Sequence, residues 1–459
     1  MKDFVVVANR LPVRRVTDGA DQRWLPSPGG LAAALTPLVA GLGCAWVGWS
    51  GDGEEADPFL HGDALLVPLG LSADELAGFY DGFSNRTLWP LYHDAIRAPE
   101  FHREWWAAYE AVNHRYAVAA AAVAAPGALV WVHDYQLQLV PGMLRALRPD
   151  VRIGFFLHIP YPPQELFMRL PWRTELLEGM LGADVVGFQV PVAARNFAVL
   201  AHRLTSALGR LPDLRFRGRP VRVGAYPVSI DVRRIEEMAA TAEIQSLAKT
   251  TREQFGNPRR LLLGVDRLDY TKGIEARLLA YGELLAEGEV APPDCVLAQV
   301  AVPSRDDVPA YHDERARIEH LVGNLNGDYS EMGSPAVHYL HQTQELDQLL
   351  ALYCAADVML VTPYRDGMNL VAKEYVACRT ADTGSLVLSE FAGAARELTA
   401  ARLINPHDID GLKAAILAAL RSGPVDDRRR MRSLRRALSG WTIYEWGRAF
   451  LDDLRRAGP

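Results

Sequence analysis

The sequence predicts an α/β protein made of two Rossmann-like, doubly wound domains that face each other across a cleft. Strand patterns alternate with helical patterns along the whole chain, which is typical of parallel sheets covered by helices. The 459 residues exceed one ordinary hydrophobic core, so two domains are expected. Polar residues follow several strands, at the sheet edge where such folds bind their ligands.

The composition is that of a soluble globular protein that binds neither nucleic acid nor membrane, and it is compatible with an anionic small ligand. Hydrophobic residues make up 49% of the chain and charged residues 23%, and the net charge of −7 argues against binding to nucleic acid. The longest purely apolar run, residues 117–125, is too short to span a bilayer, so no membrane partner is expected. Four cysteines without a Cys-x-x-Cys pair indicate reduced thiols in a cytoplasmic protein.

The first domain is expected to cover residues 1–228. Short apolar runs bounded by polar residues predict its strands, at residues 4–8, 44–49, 128–132, 152–157, 184–188 and 221–228. An apolar helix should open after Ser27, and leucine and valine at helical spacing predict another over residues 137–147. Several of the strands are followed by polar residues, among them Arg10, Asp134 and His158.

The second domain is expected to cover residues 229–440. Its strands are predicted at residues 260–265, 295–302, 337–340, 357–362, 385–388 and 402–405. Helices are expected from Lys272 onward and over residues 411–420, and the basic run 428–436 is interpreted as a solvated helix face. Residues 441–459 should form a last helix that crosses back to the first domain.

The stretch of residues 366–374 carries the strongest chemical signal. It joins a predicted strand to a predicted helix, whose first N–H groups and positive dipole end favour an anion. Gly367 leaves room for a ligand near the backbone, and the carboxylate of Asp366 can accept hydrogen bonds from sugar hydroxyls. Glu374 lies about two turns into the helix, within reach of a second polyol such as a ribose. An ordinary N-cap with a capping box would also explain this stretch by itself.

A second loop, residues 266–273, favours the ligand-binding interpretation. It joins a strand to a helix and contains Arg267 and Lys272. A diphosphate that is held without a metal needs fixed cations and backbone N–H groups. A surface cluster of salt bridges with Asp266 and Asp269 would explain this loop alone, but the pairing with residues 366–374 favours a diphosphate site.

Together these segments resemble the trehalose-6-phosphate synthase family, which consists of retaining glycosyltransferases with the GT-B fold. The resemblance runs from the first strand to the last helix. Its matching segments are residues 9–10, 29–31, 46–51, 80–85, 88–90, 133–135, 155–160, 187–189, 265–273, 303–305 and 366–375.

The resemblance implies that a nucleoside diphosphate glucose, the donor, binds mainly to the second domain. The groups expected to hold its nucleotide are the diphosphate ligands Arg267 and Lys272, the ribose ligand Glu374, and the backbone of Leu370 and Val371. Those expected to hold the transferred glucose are Asp366, His158, and the backbone of Gly367, Met368 and Asn369, with Gly29 and Gly30 covering the sugar.

Glucose 6-phosphate, the implied acceptor, should bind mainly to the first domain. The resemblance assigns its phosphate to Arg10, Tyr80 and Arg305, and its ring and hydroxyls to Trp89 and Asp134. Because a phosphate dianion calls for more than one cation, the two arginines fit this role. Trp46 and Trp49 are interpreted as core residues, and His133 as a hydrogen-bonded residue at a strand end.

The family retains the anomeric configuration, for which a retaining glycosidase would need two carboxylates about 5 Å apart. The sequence shows no identifiable pair of this kind. The resemblance implies instead that the departing phosphate oxygen takes the acceptor proton while Arg267 and Lys272 stabilise the leaving group. Asp134 would orient the acceptor, and the implied catalytic set is Asp134, His158, Arg267, Lys272 and Asp366.

Neither a cofactor nor a metal is expected. His133, Asp134 and His158 lack the compact spacing of a metal site. Asp408 and Asp410 form an Asp-x-Asp sequence of the kind used by metal-dependent glycosyltransferases, but they precede a helix and are better explained as capping residues.

Other functions and details stay open at this point. A pseudoglycosyltransferase that couples cyclitols, similar to validoxylamine 7′-phosphate synthase, should depart from the family at the donor-sugar residues, yet His158, Asp366 and Asn369 are present. A non-catalytic regulatory subunit should have lost site residues, and none is missing. Leu346 replaces a phenylalanine that many family members carry near the donor base, so both UDP-glucose and GDP-glucose are considered. A homo-oligomer is compatible with the sequence.

Overall fold

The computed structural model describes residues 1–18, 21–27, 30–39, 41–305 and 308–457. The chain divides into two compact units, one formed by Met1–Val228 with Ile443–Pro459 and the other by Ser229–Thr442. The sequence-based boundaries lie after residues 228 and 440. In the described part of the chain, every helix is too short or too polar to cross a lipid bilayer.

The first unit is built on a mixed sheet, of which the described residues form ten strands. Its strands and those of a small separate hairpin are β1 (Lys2–Arg10), β2 (Val13–Asp18), β3 (Asp21–Pro26), β4 (Ala45–Trp49), β5 (Phe59–His61), β6 (Ala64–Leu69), β7 (Ala124–His133), β8 (Arg152–Phe156), β9 (Val185–Phe188), β10 (Leu208–Arg210), β11 (Asp213–Phe216) and β12 (Arg219–Ala225). The sheet order is β10-β11-β12-β9-β8-β7-β1-β4-β6-β5, and β2 pairs with β3. Its centre, from β12 to β6, is parallel, as the alternation of strands and helices predicts.

Helices cover this sheet and carry several predicted site residues. The α-helices are Gly30–Val39, Ala73–Glu75, Trp89–Tyr92, Arg103–Val123, Val140–Leu147, Gln164–Phe167, Arg173–Met180 and Pro191–Leu204, with a 3₁₀ turn at Tyr135–Leu137. Between the second and third of them, Leu76–Leu88 forms a π-helix. Such helices are rare and often occur at functional sites, and this one contains Tyr80.

The C-terminal helix, Ile443–Arg456, packs against the sheet of the first unit. Phe450 stacks on Trp131 with ring centroids 4.9 Å apart, and Trp446 lies 5.1 Å from the same indole. A carboxylate oxygen of Asp453 accepts hydrogen bonds from Arg222 at 2.9 Å and from the Tyr226 hydroxyl at 2.7 Å. The last helix is therefore part of the core of the first unit.

The second unit contains a sheet that is parallel throughout its described strands. These are β13 (Arg260–Arg267), β14 (Cys295–Val302), β15 (Val337–Leu340), β16 (Val358–Val361), β17 (Ser385–Ser389) and β18 (Arg402–Ile404), in the order β15-β14-β13-β16-β17-β18. Its α-helices are Val232–Ala239, Ala242–Gln254, Ile274–Ala286, Pro309–Tyr329, Leu346–Ala355, Leu370–Cys378, Ile409–Leu420 and Pro424–Ser439, with 3₁₀ turns at Tyr270–Lys272 and Gly393–Arg396.

The structure differs from the sequence-based prediction mainly at the edges of the first sheet. The β2–β3 hairpin, the parallel strand β6, the antiparallel edge strands β5, β10 and β11, and the π-helix were not predicted. Strands β5, β10 and β11 are short and at least half-exposed, so they lack the continuous apolar run that marks a buried parallel strand. β6 does have such a run and was missed.

Candidate active site

In the second unit, the two predicted ligand loops follow neighbouring strands of the sheet. β13 ends at Arg267 and β16 ends at Val361, and the two strands pair in parallel. Because parallel strands end at the same edge of a sheet, the loops that follow them lie side by side. Residues 266–273 and residues 366–374, which the sequence analysis grouped together, are therefore neighbours in the structure.

Lys272 and Asp366 join the two loops directly. The Nζ of Lys272 donates to Oδ2 of Asp366 at 2.7 Å, and Nδ2 of Asn369 donates to the same oxygen at 3.2 Å. Only 11% and 14% of the Lys272 and Asp366 side chains is exposed. The predicted diphosphate cation thus lies against the predicted glucose-binding carboxylate, with little water to screen the pair.

Asp269 lies beside the two predicted phosphate-binding arginines of the second unit. Its fully buried Oδ2 accepts from Arg305 at 3.2 Å and from the Tyr311 hydroxyl at 3.1 Å, and lies 3.7 Å from Arg267. Burial alone would raise the pKa of Asp269, but Arg305, Arg267 and Lys272 outweigh it and hold that pKa well below its usual range. A carboxylate that is ionised at physiological pH therefore holds the buried Arg305 and lies within ion-pair distance of the partly exposed Arg267.

Arg277 supports the same loop from inside the core, and sequence reasoning missed it. Its guanidinium is fully buried and forms an ion pair of 2.7 Å with Asp266. Its other hydrogen bonds reach Thr362 at 3.0 Å, Gln299 at 3.2 Å and the backbone carbonyl of Lys272 at 3.3 Å. The backbone that carries Lys272 is thereby attached to the sheet.

The helix after the second loop begins at Leu370 and is capped by Asn369. Oδ1 of Asn369 accepts from the Ala372 N–H at 3.0 Å, and Asn369 has a positive φ of 80°. An ordinary N-cap is thus present at Asn369, but a capping box is not, because the third helical residue is Ala372, whose side chain cannot accept a hydrogen bond. Asp366 is left to interact with Lys272 and Asn369.

A short segment around Gly393 supports the backbone of Gly367 and Met368. The N–H of Gly393 donates to the Asp366 carbonyl at 3.2 Å, and Ala394 N–H donates to Met368 O at 2.8 Å. A Cβ at Gly393 would lie 2.0 Å from the Gly367 carbonyl oxygen, so only glycine fits here.

Glu374, the predicted ribose ligand, is oriented by Tyr353. The hydroxyl of this fully buried tyrosine donates to Oε2 of Glu374 at 3.1 Å. Burial raises the pKa of Glu374, and the hydrogen bond from Tyr353 opposes that rise. Tyr353 lies on the preceding helix, so the contact joins the two helices beside the predicted nucleotide site.

In the first unit, Arg10 lies at the carboxyl end of β1 between two aromatic rings. Its guanidinium carbon is 4.5 Å from the centre of the Trp49 ring and 5.5 Å from that of Tyr80. Trp49 ends the neighbouring strand β4, and Tyr80 comes from the π-helix. Trp46 and Trp49 are buried, as predicted. Trp49 also positions Arg10, the residue predicted to bind phosphate, through a cation–π contact.

Asp134 and His158 follow the adjacent strands β7 and β8. Oδ1 of Asp134 accepts from the His158 backbone N–H at 3.1 Å. Asp134 has φ 75° and ψ 172°, a conformation that costs about 1–3 kcal/mol outside glycine and that concentrates at functional sites. Burial lowers the pKa of His158 to about 3, so its imidazole is neutral at physiological pH.

The other predicted acceptor and donor residues are placed as follows. Trp89 is 4% exposed and packs 4.1 Å from the His93 ring and 5.6 Å from that of Tyr135. Gly30 begins the Gly30–Val39 helix, while Gly29 lies outside the described residues. Arg305 belongs to the second unit, whereas Arg10 and Tyr80 belong to the first.

The residues considered as metal ligands form no metal-binding cluster in the described part of the chain, and Asp408 has another role. Among the described residues, no group of three or more His, Cys, Asp or Glu side chains is arranged to hold a metal ion. Asp408 caps the Ile409–Leu420 helix by accepting from the Gly411 N–H at 2.9 Å, so the capping interpretation is confirmed.

Comparison with known proteins places this geometry in a family. The model of glycosyltransferase family 20 matches residues 2–456. A trehalose-6-phosphate synthase from Mycobacterium avium is 54% identical over 473 residues, covering 100% of this chain and 96% of the relative. The chain belongs to glycosyltransferase family 20.

Two solved structures resemble this family 20 glycosyltransferase along its length. One is a UDP-forming α,α-trehalose-phosphate synthase from Burkholderia xenovorans in complex with glucose 6-phosphate, with TM-score 0.91, 33% identity, and coverage of 98% of this chain and 100% of that one. The other, described as trehalose-6-phosphate from E. coli bound with UDP-2-fluoro glucose, has TM-score 0.91, 35% identity and coverage of 99% of both chains. The GT-B fold class expected from the sequence is confirmed.

Proposed function

We propose that this family 20 glycosyltransferase moves glucose from a nucleoside diphosphate glucose to glucose 6-phosphate with retention of configuration, giving α,α-trehalose 6-phosphate. The observation that carries the proposal is the 2.7 Å contact between Lys272 and Asp366. It brings a diphosphate cation and a sugar-binding carboxylate to one point, in a chain that is 54% identical to a trehalose-6-phosphate synthase over its full length.

The donor binds to the second unit in this proposal. Arg267 and Lys272 hold the diphosphate, Glu374 the ribose, and the N–H groups of Leu370 and Val371 the phosphate and ribose region. Two fixed cations and a helix N-terminus neutralise a diphosphate without a divalent ion. The enzyme therefore needs neither metal nor cofactor.

The glucose and the acceptor complete the arrangement. Asp366 with the Gly367–Asn369 backbone and His158 grip the transferred glucose, and Gly29 and Gly30 cover it. Arg10, Tyr80 and Arg305 bind the acceptor phosphate, while Trp89 and Asp134 contact its ring. The cation–π cradle of Trp49 and Tyr80 supports this role for Arg10, because it fixes the guanidinium before the phosphate arrives.

Transfer proceeds at one face of the donor sugar. The bond between glucose C1 and the diphosphate oxygen breaks, and the anomeric hydroxyl oxygen of glucose 6-phosphate bonds to C1. The hydroxyl proton passes to the departing phosphate oxygen, whose developing charge Arg267 and Lys272 stabilise. Asp134 orients the acceptor and does not attack the sugar.

UDP-glucose is the proposed donor, and GDP-glucose is its main competitor. The similar enzyme from Burkholderia xenovorans is described as UDP-forming. Leu346 stands where many family members carry phenylalanine near the donor base. It begins the Leu346–Ala355 helix and is 41% exposed, so the donor base would contact an aliphatic side chain there in place of an aromatic ring. We place the enzyme in the cytoplasm, in keeping with its four free cysteines, and leave homo-oligomerisation open.

A donor and acceptor screen tests the proposal. UDP-, GDP- and ADP-glucose are each supplied with glucose 6-phosphate or with free glucose, and the released nucleotide is measured. We expect release with UDP-glucose and glucose 6-phosphate, and a loss of it in Lys272→Met. Turnover of a cyclitol pair alone would indicate a pseudoglycosyltransferase, and activation of a separate synthase without turnover would indicate a regulatory subunit.

A further inference from the structure

His133 is a buried histidine to which the transfer scheme above gives no role. It is the last residue of β7, and its side chain is fully inaccessible to solvent. Its Nδ1 lies 3.1 Å from Nε2 of His158, which follows the adjacent strand β8. The Trp131 ring lies 4.6 Å from the His133 ring. The two histidines therefore share one hydrogen bond inside an aromatic environment.

The shared hydrogen bond makes the tautomers of the two rings depend on each other. Burial lowers the pKa of both histidines, and the neighbouring His158 lowers that of His133 further, so both are neutral. A neutral imidazole carries a proton on one nitrogen only. Either His133 donates from Nδ1 and His158 is protonated on Nδ1, or His158 donates from Nε2 and His133 is protonated on Nε2.

The surroundings of His133 Nε2 discriminate between these two arrangements. Within the described residues this atom is buried and has no hydrogen-bond partner. An N–H group buried without a partner is rarer than a buried acceptor whose lone pair is unused. The arrangement in which Nε2 of His133 carries no proton is therefore favoured, and Nδ1 of His133 is the donor.

We propose that His133 is a positioning residue that holds His158 in the Nδ1-protonated tautomer, so that His158 donates a hydrogen bond to a hydroxyl oxygen of the transferred glucose. His158 is the partly exposed member of the pair, and its Nε2 is occupied by His133. Nδ1 is therefore the ring nitrogen left for a ligand. The proposal rests on the assignment of His158 to the donor sugar in the proposed function.

Substitutions at His133 separate this role from simple packing. Asparagine places its amide N–H near the position of Nδ1, whereas glutamine places it near Nε2 and phenylalanine fills the space without a donor. We expect His133→Asn to keep kcat within about threefold of wild type, and His133→Gln and His133→Phe to lower it about tenfold, the worth of one hydrogen bond. If packing alone mattered, phenylalanine would be tolerated best and asparagine least, and that order would overturn the proposal.

Two further measurements keep the test decisive. Thermal unfolding of each variant identifies those that fold. If His133→Phe does not fold, the comparison of His133→Asn with His133→Gln still tests the proposal. The Kd of UDP should be unchanged in all of them, because its predicted ligands lie elsewhere. In a His158→Ala background, His133→Gln should cause no further loss of kcat, and an independent loss there would overturn action through His158.

The tautomer itself can be read without any turnover. In enzyme labelled with ¹⁵N on the histidine rings, heteronuclear NMR distinguishes protonated from bare nitrogens, and the His158→Ala spectrum identifies the resonances. We expect a protonated Nδ1 and a bare Nε2 in His158, and the reverse pattern would overturn the proposal. If the tautomer is as expected but His158→Ala transfers glucose at the wild-type rate, the positioning role and the assignment of His158 are both overturned.

Discussion

Replacing Arg277 by methionine should destabilise the second unit by about 3–5 kcal/mol, because it removes one partner of a buried ion pair. None of the Arg277 side chain and 3% of that of Asp266 is exposed, and their charged atoms are 2.7 Å apart. Methionine fills much of the space but leaves the Asp266 carboxylate buried without its main countercharge. Hydrogen bonds to Thr362, Gln299 and the Lys272 carbonyl are lost as well.

Urea unfolding followed by far-UV circular dichroism measures this loss as a change in the free energy of unfolding. The matched control is Arg233→Met in the same unit, since the Arg233 side chain is 89% exposed and lies 2.7 Å from the exposed Glu237. An exposed pair of this kind contributes about 0–1 kcal/mol. Adding Asp266→Asn to Arg277→Met should recover part of the stability. Equal losses in the two arginine variants, or a double variant no more stable than Arg277→Met, would refute the reasoning.

The loss caused by Arg277→Met should also depend on pH. Burial raises the pKa of Asp266 despite the opposing charges of Arg277 and Lys272, so removal of Arg277 should raise it further. A carboxyl group with a raised pKa in the folded state contributes stability below its unfolded pKa and loses it as the pH rises through the folded value. The deficit of Arg277→Met should therefore be larger at about pH 8 than at about pH 5.

Three other predictions concern the ligands. Arg10→Met should raise KM for glucose 6-phosphate at least about tenfold and leave KM for UDP-glucose nearly unchanged. It should also reduce the preference for glucose 6-phosphate over free glucose as the acceptor. Arg14→Met, which removes an exposed arginine, is the control. If initial rates show the preference intact in both Arg10→Met and Arg305→Met, the acceptor pocket is misplaced. Arg267→Met and Lys272→Met should each lower kcat/KM at least about tenfold, while EDTA leaves the wild type unaffected. Inhibition by EDTA that a divalent ion reverses would contradict binding of the diphosphate without metal. Tyr353→Phe should raise KM for UDP-glucose about three- to tenfold without changing that for glucose 6-phosphate, because Glu374 loses its 3.1 Å hydrogen bond. Equal effects on both substrates would argue against the ribose assignment.

Most buried parallel strands could be predicted from the sequence because each is a continuous apolar run between polar residues, although β6 was missed. The predictions at residues 295–302 and 337–340 agree with β14 and β15 at both ends. The π-helix Leu76–Leu88 could not be predicted, because its backbone conformation is determined by packing. Phe83, for example, contacts Trp106 and Trp172, which lie far away along the chain.

The two ligand loops could be paired from the sequence because both follow strands of the same half, and β13 and β16 prove to be neighbours. The residues that position the site were out of reach. Arg277 resembles any helical arginine until its partner Asp266 is known, and Tyr353 resembles a core tyrosine. The prediction of His133 as a hydrogen-bonded residue at a strand end is confirmed, but its partner His158, 25 residues away, was not predicted. Such contacts depend on the tertiary structure and cannot be predicted from the spacing of residues along the chain.

NMR of the product tests glucosyl transfer most directly. UDP-glucose labelled with ¹³C at glucose C1 is incubated with unlabelled glucose 6-phosphate. We predict one labelled α-configured anomeric carbon, linked through oxygen to the α-configured anomeric carbon of the acceptor, with the 6-phosphate intact and one equivalent of UDP released. A β-configured labelled carbon would contradict retention, and labelled free glucose as the sole sugar product would contradict transfer to glucose 6-phosphate.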